Sequence, residues 1–393
     1  MCKLLKDNQI INFLTRQELE DYLNFRKIHD KWFVSPIQSM KIIAGTGTPE
    51  NFKATTKTLV PLDGIKECFE EGTNLFLEFY IDVNGQQKRG VIPVRDTAIN
   101  SILARARLGG FSLVNNEEEP GVAVLDDSIK AQIITDCLKL YTAQAKVLYR
   151  DEEISAVHSG QYAVLTESDI IASFEETMKK DFSDLEFISA DVSHRYFKAN
   201  YDLHCEEVEE DIQMMLSEIG ENADSVKVKV TVFSSDIGTA AVHILTYIDV
   251  DGMSIVFGKP KAIKHIGKRT ADDIKKEVGK LLSLFKACPE DFKRLGEIQI
   301  HNPGGCLRSI AKEMHLPKKL TLDIASVLDD TKPECTAYEI YWHLNEIGAA
   351  AEKNITDGFR IMAIKETIAE CLKIDFKKFD RDFLWARGEK EEE

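Results

Sequence analysis

The stretch between residues 184 and 257 constrains the fold more than any other part of the chain. DLEFISADVS and RYFKANYDLHC alternate apolar with polar residues, as strands with one buried face do. VKVKVTVFS and AAVHILTYIDV follow, and MSIVFG comes after Asp251-Gly252, a dipeptide suited to a tight turn. Between the two groups, EEVEEDIQMMLSEIG predicts a helix with a strongly acidic face.

The remaining elements are mixed. Thr15 with Glu18 forms a capping box ahead of TRQELEDYLNFRK, apolar at Leu19, Tyr22, Leu23 and Phe25. Residues 74–94 predict a hairpin around Asn84-Gly85, and Asp96 caps a helix stopped by Gly109-Gly110. The polar run at 115–121 predicts a loop before a helix over about 127–141, and Thr166 with Asp169 caps another through IASFEETMKK. Ile274, Val278, Leu281, Leu282 and Phe285 share one face of a helix whose lysines line the other. After Asn302-Pro303-Gly304-Gly305 the chain reads as mostly helical, and RGEKEEE at the end as a disordered tail. The predicted class is α+β, with mixed or antiparallel sheets, packed helices and a mainly helical C-terminal part. Three regions are expected: 1–145, 146–300 and 301–393. No repeat period of 20–50 residues is present.

Length and composition (393 residues, 44% hydrophobic, 30% charged) fit a soluble protein with a core large enough to need no disulfides. No apolar run approaches ~20 residues, and Lys6, Asp7 and Asn8 interrupt the only apolar stretch near the start. A cytoplasmic protein without membrane contact is expected. The eight cysteines stand singly with no C-x-x-C pair, which fits reduced thiols and argues against a zinc ribbon. No metal or other cofactor is expected.

Charge is segregated. Residues 151–225 carry twenty Asp/Glu and four Lys/Arg, whereas 259–294 carry eleven Lys/Arg and five Asp/Glu, within a chain of net charge −16. A local basic patch can still attract anions, because salt screens charges beyond about 8–10 Å. Lys259, Lys261, Lys264, Lys268, Arg269, Lys275, Lys276 and Lys280 are therefore candidates for contact with a phosphate backbone. The plainer reading is a solvated helix face that pairs with the acidic segment. Asn302–Ser309 adds Arg308 in the first turn of a helix behind two glycines, an arrangement that could hold a phosphate or simply start a helix. Gly45, Thr46, Gly47 and Thr48 lack the G-K-[ST] ending of a phosphate loop. His194, His204 and Cys205 match no metal-ligand spacing, and no nucleophile with a coded partner is present, so no catalytic residue is assigned.

Three segments carry a resemblance. VLYRDEEISAVHSGQYAVLTESDI, with Arg150, Ala156, Ser159, Tyr162 and Leu165, resembles a block of the phage/plasmid-like protein family (domain of unknown function 932). Ser234-Ser235-Asp236-Ile237-Gly238 resembles that family's Asn-Ser-Glu-Val-Gly strand block, and FGKPKAIKHIGKR resembles the basic segment that comes next. The resemblance spans roughly residues 145–290. It departs where Asp249-Val250-Asp251-Gly252-Met253 replaces a Cys-Thr-Asn-Gly block.

The resemblance implies a protein of a phage or mobile element that accompanies DNA replication or recombination. Together with the lysines, it leads to an expected non-catalytic, nucleic-acid-binding accessory role, with DNA or RNA as partner. Two alternatives stay open. One is a self-assembling structural or interaction protein, paired with itself or with a host or phage protein, including an inhibitor of a host defence complex. The other is a Mg²⁺-dependent nuclease, which needs two or three carboxylates converging in one pocket.

Overall fold

Val228, Val230 and Val232 alternate with Lys229 and Thr231, and this period of two fixes the central sheet. In the computed structural model, residues 9–44, 75–83, 86–108, 127–151, 153–182 and 184–385 are described, with backbone alone for 81–83, 86–88 and 259–261. The Gly45–Thr48 loop, the Asn84-Gly85 turn, Gly109-Gly110, the 115–121 loop and the acidic tail lie outside the described residues.

The protein is α+β. Strands β8 (Asp184–Ser193), β9 (Phe197–His204), β10 (Val226–Ser234), β11 (Val242–Val250) and β12 (Met253–Ile263) pair in chain order, all antiparallel. Strand β1 (Ile10–Phe13) closes the far edge against β8. Val230 stands opposite Tyr201 and Thr246, so the valines share a buried face with Tyr201, Leu203, Ile244 and Ile248. On the other face Lys229 meets Asp249 at 2.8 Å, and Thr231 donates to Asn200 at 2.8 Å. A slip of one residue would exchange these faces.

Helices fill the rest of this unit: α1 (Arg16–His29), α4 (Glu167–Asp181), α5 (Glu206–Glu218), α6 (Ala271–Val278), α7 (Leu281–Gly296), α8 (Pro303–Glu313), α9 (Lys318–Thr331), α10 (Ala337–Asn354) and α11 (Gly358–Cys371). The outer edge of β12 would leave backbone groups unpaired. Helix α10 satisfies them at Val256, whose N–H donates to Asn345 (2.8 Å) and whose carbonyl accepts from Tyr341 (2.6 Å). No helix among the described residues is long and apolar enough to cross a membrane.

A second core lies within residues 37–157. Strands β2 (Lys31–Pro36), β6 (Gln144–Arg150) and β7 (Glu153–Ser159) form one small antiparallel sheet. Strands β3 (Lys41–Ala44), β4 (Leu75–Val83) and β5 (Gln86–Pro93) form another. Helices α2 (Asp96–Arg105) and α3 (Asp127–Leu138) pack on them. The C-terminal helices share the larger core with the six-stranded sheet.

Local readings shift in two places. Asp96 is the first helical residue and Arg95 the cap, with no side-chain capping bond. The helix expected across 271–287 is two, α6 and α7, parted at Gly279 and Lys280, although Ile274, Val278, Leu281 and Phe285 still share one buried core.

Candidate functional site

The basic segment runs from β12 into α6. Lys259 and Lys261 lie in β12, and nothing is described of their side chains. Lys264, Lys268, Arg269, Lys276 and Lys280 are exposed, and Lys275 is half-buried. Arg269 pairs with Asp273 (2.6 Å), Lys275 with Glu176 (2.6 Å) and Lys280 with Glu277 (2.6 Å). Lys264, Lys268 and Lys276 have no ion pair or side-chain hydrogen bond among the described residues. Exposed pairs contribute little and exchange readily for another anion, so they do not remove their cations from use. Further along, the acidic and basic segments do meet: Lys286 of α7 bonds Glu207 of α5 at 2.7 Å, and Lys293 bonds Glu218 at 3.0 Å.

Arg308 stands apart. It is buried, donating through Nη1 to Asp329 at 2.7 Å and through Nε to the Phe383 carbonyl at 2.7 Å. The two glycines before it serve packing. A Cβ on Gly304 would lie 1.9 Å from Asp329 Oδ1, and one on Gly305 2.2 Å from the Arg381 carbonyl oxygen. Protein atoms fill the space where a phosphate would sit.

The loop after β12 leads to a buried charge centre. Ile266 bridges Tyr162, Ala163 N–H donates to the His265 carbonyl at 3.0 Å, and Gly267 N–H donates to the Gln161 carbonyl at 2.8 Å. Tyr162 lines a half-open cavity of about 140 Å³ together with Arg26, Lys27, Asp30, Arg150, Glu167 and Asp236. Arg150, 2% exposed, donates to Asp30 through Nε (2.8 Å) and Nη2 (2.6 Å), and to Asp236 through Nη1 (2.9 Å) and Nη2. Arg26 donates to both oxygens of Asp151 at 2.9 and 3.0 Å, and Arg95 meets Glu153 at 2.9 Å. Three buried arginines thus engage four carboxylates, the condition under which such charges are tolerated in a core.

Glu167 is the fifth carboxyl. It is the first residue of α4, 9% exposed, and has no hydrogen bond or ion pair among the described residues. Burial, and then the nearby Asp236 charge, push it up to about 7. Asp236 goes the other way: burial works against its ionised form, but Arg150 overcomes this and holds it below the usual carboxylate range.

Aromatic rings wall the same turn. His158 stacks on Tyr162 at 3.8 Å, with Trp32 and His265 at 5.6 and 5.2 Å from Tyr162. His158 Nε2 and Tyr162 Oη both donate to the Asp236 carbonyl, at 2.9 and 3.1 Å. Burial lowers His158 to about 4, so the ring is neutral and carries its proton on Nε2. His194 is neutral as well. Arg95 donates to its Nδ1 at 2.5 Å, which leaves the proton on Nε2 facing Thr97 at 2.6 Å. That is the structural role of His194. Among the described residues no group of three or more His, Cys, Asp or Glu is placed to hold a metal ion.

Arg150, Tyr162 and Asp236, three of the residues singled out in the sequence, meet at one point although they come from two distant blocks. Arg26, Asp30 and Glu167 escaped sequence reading, because each sits within an ordinary amphipathic helix or at its end. The described cysteines are all free, and burial raises the thiols of Cys288, Cys306, Cys335 and Cys371 away from reactivity. No family model, no curated protein and no solved structure matches the chain.

Proposed function

We propose that this protein binds the phosphate backbone of nucleic acid, as a non-catalytic accessory factor in the DNA metabolism of a phage or other mobile element. The observation that carries the binding is that Lys264, Lys268 and Lys276 are exposed and unpaired among the described residues, on a chain of net charge −16. Arg269 and Lys280 stand beside them in exposed pairs that a phosphate can displace. Such contacts carry no base information, so binding is tolerant of sequence. The mobile-element context rests on the family resemblance alone.

Two of the three cavity carboxylates, Asp30 and Asp236, are engaged by Arg150, and no group of three or more metal-ligating side chains converges among the described residues, unlike an open array for Mg²⁺. A gel-shift assay with a labelled single strand tests the reading. The wild type retards the strand, and the variant Lys264→Gln/Lys268→Gln/Lys276→Gln retards it far less. Equal retardation by both proteins sinks the assignment.

A further inference from the structure

The turn Ser235–Gly238 has a cavity on each side. One is the charge centre around Arg150. The other, of about 290 Å³, lies between α2 and the turn and is lined by Asn100, Arg105, His158, Arg195, Gly238 and Thr239 among others. This lies at the lower end of the ~300–1,000 Å³ range of small-molecule sites.

Its chemistry differs from the rest of the protein. None of its lining residues is acidic. Helix α2 places Thr97, Asn100, Ser101, Ala104 and Arg105 along one side, the spacing of a single helix face. Arg105 is half-buried, and its buried Nε has no hydrogen-bond partner. Burial pulls the guanidinium below its ordinary value, with no carboxylate among the described residues to offset it. A half-buried arginine without a counter-ion is costly unless a ligand supplies the charge. Arg195 faces it from the β8–β9 connection. Its guanidinium rests over the Phe359 ring at 5.1 Å and forms one long, exposed ion pair, with Asp357 at 4.0 Å. Asn100 is exposed and makes no side-chain hydrogen bond among the described residues.

The wall opposite α2 is held rigidly. Gly238 has φ +84°, and a Cβ there would lie 2.4 Å from His158 Cε1, so the turn presses directly on the imidazole. Ser235 donates to the Arg195 carbonyl at 2.7 Å and shares a hydrogen bond with Thr239 at 2.7 Å. The backbone that carries Arg195 is thereby fixed to the same turn.

We propose that this cavity binds a phosphate monoester, with Arg105 and Arg195 supplying charge-assisted hydrogen bonds to its oxygens and Asn100 a neutral donor. Arg105, without a counter-ion among the described residues, and Arg195, in only a long exposed pair that a phosphate can displace, match a doubly charged anion, and forked N–H groups match its geometry. The volume leaves room for a sugar-sized body behind the phosphate. The group belongs either to a free sugar phosphate or to the phosphorylated end of a nucleic-acid strand. The site is separate from the lysine surface and does not depend on it.

Calorimetric titration of the full chain with ribose 5-phosphate and with ribose tests the site. A second arm compares a 5′-phosphorylated oligonucleotide with its 5′-hydroxyl form. The phosphate ester binds and ribose does not. Arg105→Gln and Arg195→Gln each weaken phosphate-dependent binding about tenfold or more, while Lys264→Gln/Lys268→Gln/Lys276→Gln leaves it unchanged. Arg195 is exposed, so its variant reports on the site even if Arg105→Gln fails to fold, and circular dichroism checks both. Binding of ribose 5-phosphate alone assigns the small ester, and a gain confined to the phosphorylated strand assigns the strand end. Absence of any phosphate-dependent binding, or wild-type affinity in Arg195→Gln, overturns the proposal.

Discussion

Arg150 grips Asp236 through both terminal guanidinium nitrogens, across 86 residues of sequence, while its Nε and Nη2 hold Asp30. This one side chain joins the end of β6, the end of α1 and the turn after β10. Removing it leaves Asp236 without its cation and Asp30 with Arg26 alone, 3.6 Å away. Arg150→Gln is therefore expected to lower unfolding free energy by about 3–5 kcal/mol, read from urea melts at pH 7.5. A loss below about 1 kcal/mol would show that the centre is not what binds these elements together.

Glu167 gives the centre a pH signature. Its folded pKa, raised by burial to about 7, exceeds its unfolded value near 4.5. The folded state therefore holds the extra proton between those values, and this contribution grows as pH falls through 7 and is lost as pH rises. Glu167→Gln lacks it. Between pH 7.5 and 5 the variant should lose more stability than the wild type, by on the order of 2 kcal/mol. Parallel stability curves for the two proteins would refute the assignment.

The histidines act with the opposite sign. Burial lowers His158 to about 4 and lowers His265, and burial together with Arg95 depresses His194. His158 and His194 are neutral when folded and take a proton near pH 6.5 when unfolded, so their contribution is present above 6.5 and is lost as pH falls below that value, and His265 acts in the same direction. With two such groups, and His265 beside them, against one Glu167, wild-type stability should decline from pH 7 to 5. Chemical denaturation across that interval checks the direction, and a rise toward pH 5 contradicts it.

Gly238→Ala should be costly for two reasons. Its φ of +84° disfavours any side chain, and the new methyl would meet the His158 ring. A loss of about 2–4 kcal/mol is expected from strain plus overpacking, with a disturbed His158–Tyr162 stack visible as shifted imidazole resonances by NMR. By contrast, nothing lies within 4 Å of a Cβ on Gly267, so Gly267→Ala carries the φ term alone and serves as the comparison.

Much of the fold was legible because it rests on local rules. The Thr15–Glu18 capping box, the Thr166 cap and the strands of 184–257 stand where period and capping chemistry put them. The segment 271–287 reads as one helix but forms parts of two, parted at Gly279 and Lys280 without disturbing the apolar spacing. Strands β6 and β7 drew no strand prediction, because burial on both faces removes the alternation that marks a strand. The charge centre was the least legible. Arg26 and Asp151 are separated by 125 residues, and nothing in either segment declares its partner. Among the sequence-based expectations, only the proposed resemblance of the blocks around Arg150, Tyr162 and Asp236 drew attention to this region. The basic segment was visible in sequence, but which of its cations are free depends on Glu176, Asp273 and Glu277, whose positions only the fold supplies.

The most direct test is the salt dependence of binding to a labelled single strand, followed by fluorescence anisotropy for the wild type, for Lys264→Gln/Lys268→Gln/Lys276→Gln and for Arg308→Gln. Each phosphate contact contributes about 0.7 to the slope of log affinity against log salt for single strands. The wild type should show a steep slope, the triple variant a slope shallower by about 2, and Arg308→Gln, whose guanidinium is held by Asp329, the wild-type slope. A flat, salt-insensitive response from the wild type, or a triple variant indistinguishable from it, contradicts backbone binding by this surface.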